Sequence, residues 1–194
     1  MGVSLAWIGV QAMAAKDVQA ALGLVETGAS GGFYDFPIAG VALSNGYYLL
    51  TAKPCDHAIC SERVLSELSS KASVVACSIE EHVMFMSAAL WCGGKEVWSV
   101  QHRGGDYGDT DLVVKGVLPE NFEEVRAGCF AAQEAGGDSI GVDYVADIPL
   151  LLAKSMVGYK HDETNTEIDE NFQALRQEPT GLLASATRPK WKFW

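Results

Sequence analysis

The sequence predicts an α+β domain, with an antiparallel or mixed sheet and helices packed mainly on one face. Three observations predict it. β-rich runs alternate with runs of helical apolar spacing. Short Gly-containing turns join several β runs into hairpins. The order through about residue 80 is β-α-β-β-α-β, that of a ferredoxin-like split unit. A chain of 194 residues can bury a sizeable core. With 48% hydrophobic and 20% charged residues, it has the composition of a folded protein.

The elements follow in order. "VSLAWIGVQ" reads as a first strand. "AAKDVQAALGL" places Val18, Ala21 and Leu22 at helical spacing, with Gly23 as a C-terminal stop. "ETGASGGFYDFP" reads as a Gly-rich loop. "IAGVALSNGYYLLTA" has two apolar runs around Asn45-Gly46, the pair favoured in a type I′ hairpin turn. "CSERVLSELSSKA" is a helix with Ser61 as N-cap and Val64, Leu65 and Leu68 as its buried stripe. "SVVACSIEEHVMFMSAALW" is too long for one strand and breaks near Glu80-Glu81. "CGGK" turns it back into "EVWSVQHR". "LVVKGVL" is a further strand. Pro119 opens the helix "ENFEEVRAGCFAAQEA", whose first turn is acidic as the helix dipole favours. "DIPLLLAKSMVGY" is a last, largely buried helix.

Composition shifts after residue 160, so the expected organisation is one α+β domain over 1–160 and a tail over 161–194. The tail is acidic first, with a short helix near Ile168–Leu175, and ends basic and aromatic in "RPKWKFW". Trp191, Phe193 and Trp194 are its docking candidates, on the domain or on a second copy in a homo-oligomer. No fixed-period repeat is present.

The net charge of −11 repels phosphate backbones and argues against nucleic acid as a partner. It favours a basic protein. No run reaches the ~18 apolar residues of a membrane helix, so no stable membrane insertion is expected. Five Cys in no regular framework suit reduced thiols and a cytoplasmic location.

The hairpin Glu81–Arg103 holds the densest polar chemistry. With Gly93-Gly94 as its turn, Trp91 faces Glu96 and Phe85 faces His102. Side chains alternate faces. One face then carries Phe85 and Trp91 beside Trp98 and His102, and the other carries His82 beside Arg103. Phe85, Trp98, His102, His82 and Arg103 are therefore the ligand-pocket candidates, with core packing as the alternative for the aromatic residues and His102. "CDHAIC" sets Cys55, His57 and Cys60 close together, but a fourth zinc ligand would have to come from afar. A helix N-terminus nearby would make Cys60 a reactive thiol. "TGASGG" lacks the spacing and the Lys of a phosphate loop, and "GGDYGDTD", with Asp106, Asp109 and Asp111, lacks the EF-hand pattern. No catalytic residue, metal or cofactor is expected. "GYKHDE", with His161 and Asp162, follows a helix, where His and Lys complement the dipole; a site where it meets the hairpin stays open.

"EEHVMFMSAALWCGGKEVWSVQHRG", "VDYVADIPLLLAKSMVGYKHDE" and the "KWKFW" ending resemble a group of uncharacterised small bacterial proteins. That resemblance implies no activity and no site residues. The expected function is a non-catalytic cytosolic binding protein with an acidic surface, of the antidote type. The alternative is a small enzyme or ligand-binding domain with a pocket near His102 and Trp98.

Overall fold

The structure, a computed structural model, describes residues 2–136 and 142–189. Thirteen elements follow one another: β1 (Ser4–Gln11), α1 (Ala15–Leu22), β2 (Leu24–Gly31), β3 (Ile38–Ala42), β4 (Tyr47–Ala52), α2 (Glu62–Ser69), β5 (Ser73–Glu80), β6 (Phe85–Cys92), β7 (Lys95–Arg103), β8 (Val113–Gly116), α3 (Phe122–Gly136), α4 (Asp147–Val157) and β9 (Phe172–Gln177). The strands form one sheet in the order β2-β9-β3-β4-β1-β5-β6-β7-β8, and every neighbouring pair is antiparallel.

The sheet is larger than expected, and the βαββαβ order is not what the first 80 residues adopt. The stretch read as a Gly-rich loop forms β2, at the edge of the sheet. Its side chains from Val25 to Ser30 are exposed, so it shows none of the apolar alternation that marks a half-buried strand. The segment read as a short helix near 168–175 instead supplies β9, which lies between β2 and β3. Phe172 is fully buried there.

The helices cover both faces of the sheet rather than mainly one. Along β1, Ala6, Ile8 and Val10 pack with Val18 and Leu22 of α1 and Val64, Leu65 and Leu68 of α2. Leu5 and Trp7 point the other way and pack with Phe122 and Cys129 of α3 and Ile148, Leu152 and Val157 of α4. A strand buried on both sides must have two covers.

Two turns behave differently from one another. At the β6–β7 hairpin, Gly93 and Gly94 have φ of 58° and 76°, as a two-residue type I′ turn requires. At the β3–β4 hairpin Gly46 has a positive φ and Asn45 does not, so this is a wider turn. Asn45 instead donates through Nδ2 to the Val157 carbonyl at 2.8 Å, closing the C-terminal end of α4.

β7 carries a one-residue bulge. Leu90 pairs with Trp98, yet Trp91 pairs with Glu96, which leaves Val97 without an opposite number. Gly116 on β8 makes the bulge feasible. It has φ 79°, and a Cβ there would sit 2.1 Å from the Val97 carbonyl oxygen.

The chain after β9 is held against α1 by a second close approach. Glu178 N donates to the Gly23 carbonyl at 2.8 Å. Gly23 has φ 74°, and a Cβ there would lie 1.9 Å from the Thr180 carbonyl oxygen. Gly23→Ala should therefore destabilise the protein by more than the about 1–2 kcal/mol of a left-handed alanine alone. Urea unfolding measures this, and hydrogen exchange should speed up across Phe172–Gln177. Unchanged exchange there would show that the contact does not anchor β9.

Candidate functional site

The bulge decides where the predicted pocket residues go. Beyond it, Met86 lies opposite His102 and Ala88 opposite Val100. Trp98, Val100 and His102 therefore face α4, while Phe85, Ser87, Ala89 and Trp91 face the opposite side with Ser99, Gln101 and Arg103. The expected aromatic patch is split between the two faces. Trp98 is 2% exposed and His102 fully buried, and neither lines a cavity described below. His82 is well exposed and pairs with Glu80 in the turn after β5. Arg103 makes a bidentate pair with Asp111, at 2.9 and 3.0 Å, and stacks on Tyr107. That guanidinium holds the Asp111 carboxyl below its usual range.

His102 is nonetheless electrostatically engaged. Its Nδ1 donates to the Asp111 carbonyl at 2.8 Å. Its Nε2 lies 2.8 Å from Asp143 Oδ2, off the axis of a good hydrogen bond, so the two meet as an ion pair. Burial disfavours the charged ring, but Asp143 and Asp111 outweigh it and raise the pKa above 6.5. The other oxygen of Asp143 accepts from Ala146 N at 3.0 Å, just before α4.

Asp143 is also one wall of a cleft of about 340 Å³, together with Glu81, Asp147, Asp162 and the imidazole of His161. Three separate segments converge here. The β5–β6 turn brings Glu81, which accepts from Val3 N at 2.8 Å and meets His161 Nε2 at 3.1 Å. The start of α4 brings Asp143 and Asp147. The segment after α4 brings His161 and Asp162. Lys160 bridges the last two elements, 3.2 Å from Asp147 and 2.7 Å from Asp162, and this lowers the pKa of Asp162 against its burial. His161 has a side chain 2% exposed, and its Nδ1 has no hydrogen-bond partner among the described residues, with Asp162 3.9 Å away. Tyr34 presents a half-exposed ring close by. Its phenol pKa is raised by burial and then by the charges of Glu81 and Asp162. "GYKHDE", whose expected role is to complement the helix dipole, touches the start of the hairpin through His161 and Glu81. Asp143 and Asp147 gave no such signal, since single acids beside a helix start read as ordinary dipole partners.

A second concavity, of about 660 Å³, lies on the other face between α2 and β5–β8. Its floor is made of small residues, among them Ala76, Ser78, Ser87, Ala89 and Ser99, and Trp91 and Pro189 form walls. Trp91, Trp98 and Trp7 are buried; Trp191, Phe193 and Trp194 lie outside the described residues.

Burial raises the four buried thiols, Cys55, Cys60, Cys77 and Cys129, which works against their acting as nucleophiles. Burial pushes Cys60 up to about 12 and Cys55 up to about 11, opposite to the expected activation of Cys60. Burial also lowers His57 to about 4, helped by Arg188. Among the described residues, no group of three or more His, Cys, Asp or Glu is placed to hold a metal ion. No helix among them is long and apolar enough to cross a membrane.

No family model matches the chain, and neither a curated protein nor a solved structure matches it.

Two measurements test this description. The folded pKa of His102 exceeds its ordinary 6.5, so the stability it contributes is full below pH 6.5 and is lost as pH rises through the folded value. The stability difference between the wild type and His102→Gln should be greatest at acid pH and shrink on the alkaline side; a pH-independent difference would remove the ion pair with Asp143. All five cysteines are free thiols and Cys92 alone is exposed. Alkylation of the native protein should label Cys92 first and the other four on unfolding. Two thiols that react after reduction alone would contradict this.

Proposed function

We propose that the chain is a non-catalytic interaction protein that captures a basic protein partner through its acidic surface, as an antidote does, in the cytoplasm. The observation that carries this reading is the cleft lined by Glu81, Asp143, Asp147 and Asp162. Its four carboxylates outnumber the basic side chains beside them, Lys160, His102 and His161, which leaves the cleft net negative whatever the state of the two imidazoles. A Lys or Arg side chain of a partner fits that field. His161 Nδ1 supplies a buried polar atom that has no hydrogen-bond partner among the described residues. The overall charge of −11 would steer such a partner in and speed encounter.

A second reading, a small enzyme or ligand-binding domain, draws on one observation. Asp143 both borders the cleft and meets His102, so a proton held at His102 is one residue from a bound ligand.

An oligo-arginine peptide titrated calorimetrically into the full chain tests the first reading. Asp147→Asn and Asp162→Asn should each weaken binding about tenfold, or about 1.4 kcal/mol. Glu123→Gln on α3, exposed and far in sequence from these acids, should change it by about twofold at most. Equal losses at all three positions would reduce the effect to the general field of an acidic protein and sink the cleft as a site. A stoichiometric small metabolite released on denaturing the untagged protein would favour the second reading.

A further inference from the structure

Asn45-Gly46 turns the chain between β3 and β4, and its contact with α4 gives the pair a second consequence. We propose that Asn45 is a site of spontaneous deamidation, that the contact with α4 holds the reaction back, and that reaction unties the C-terminal end of α4.

The chemistry starts from the pair itself. The backbone nitrogen of the residue after an asparagine can attack the side-chain Cγ. A succinimide ring forms, the Cγ–Nδ2 bond breaks and ammonia leaves. Water then opens the ring at either carbonyl, giving aspartate or isoaspartate, in which the main chain runs through the β-carbon. Nothing but water is consumed. Glycine in the following place has no side chain to obstruct the attack. Of the four asparagines in the chain, Asn45, Asn121, Asn165 and Asn171, Asn45 alone precedes a glycine. Both residues of the pair are exposed, so water reaches the turn.

The fold engages the reacting groups elsewhere. Gly46 N, the nucleophile, donates to the Leu43 carbonyl at 3.1 Å. Asn45 Nδ2, the leaving group, donates to the Val157 carbonyl at 2.8 Å. Asn45 Oδ1 accepts from Tyr47 N at 3.3 Å. The amide is therefore held between the first residue of β4 and the last of α4. Gly158 packs close beside it: a Cβ there would lie 3.2 Å from Asn45 Nδ2. Attack requires the amide to leave Val157 and Gly46 N to leave Leu43. It proceeds through a local opening of the turn, and its rate falls with the population of the open form.

The product cannot restore the contact. The Val157 carbonyl is among the last four of α4, which have no partner inside the helix. An ionised carboxylate at position 45 has no hydrogen to give it. It also brings negative charge to the helix end where the dipole is already negative. Isoaspartate lengthens the backbone of the turn as well. The chain just beyond this end of α4 carries Lys160, His161 and Asp162 to the cleft, so a change at Asn45 loosens the segment that builds one of its walls.

Mass spectrometry of the full chain, aged at mildly alkaline pH either folded or unfolded in guanidinium, tests the proposal. Deamidation should fall on Asn45, and the folded chain should react more slowly by about tenfold or more. Aged folded protein, separated by its added negative charge, should melt lower than fresh protein and exchange amide hydrogens faster over 155–162. Asn45→Asp should reproduce both changes; where that variant does not fold, the separated aged protein supplies the same comparison. Equal rates in the folded and unfolded chain overturn the protection by α4. Reaction at Asn121, Asn165 or Asn171 ahead of Asn45 overturns the site. Aged protein that matches fresh protein in melting and in exchange over 155–162 overturns the untying.

Discussion

From Leu5 to Val10 every side chain of β1 is buried, on both faces of the sheet. A strand with no wet side sets the terms for everything around it. It must sit in the middle, so β4 and β5 flank it. It must have a layer above and a layer below, which is why α1 and α2 take one face and α3 and α4 the other. At roughly 25 cal/mol for each Å² of apolar surface removed from water, the two layers together outweigh any single polar contact in the molecule. The polar chemistry is pushed to where the layers end. The acidic cleft forms at the N-terminal end of α4, and the second concavity forms between α2 and β5–β8.

What was legible in the sequence is local. The Gly93-Gly94 turn needs positive φ at both positions and glycine meets that without strain, so the hairpin was readable. The stripe Val64, Leu65, Leu68 declared α2 because its spacing is intrinsic to a helix. β2 was invisible because it is an edge strand with an exposed, Gly- and Ser-rich surface. β9 was hidden because "FQALRQ" buries Phe172, Ala174 and also Leu175, a pattern that serves a helix as well as a strand. The bulge at Val97 was unreadable for another reason. A one-residue insertion leaves composition and periodicity almost untouched, yet it moves every later side chain of β7 to the other face. His102, a pocket candidate from the sequence, thereby lies opposite Met86 rather than Phe85.

The candidate site was harder to see than the fold. Glu81, Asp143, Asp147, His161 and Asp162 come from three segments separated by up to 80 residues, and each acid alone has an ordinary reason to exist. It is the meeting of the β5–β6 turn with the residues after α4 that converts solvating charges into a lined cleft. The second concavity has another character: its floor is built largely from small residues on adjacent strands.

The place of β9 has a consequence for how the chain is made. Synthesis releases β3 and β4 early, but the outer neighbour of β3 is β9, which emerges more than a hundred residues later. Until then β3 presents an open row of backbone donors and acceptors, a template on which another nascent chain can pair. β2 cannot shield it, because β2 joins the sheet through β9 alone. A late strand that inserts inside a sheet rather than at its border makes the β2–β9–β3 side wait until residue 177 has been made.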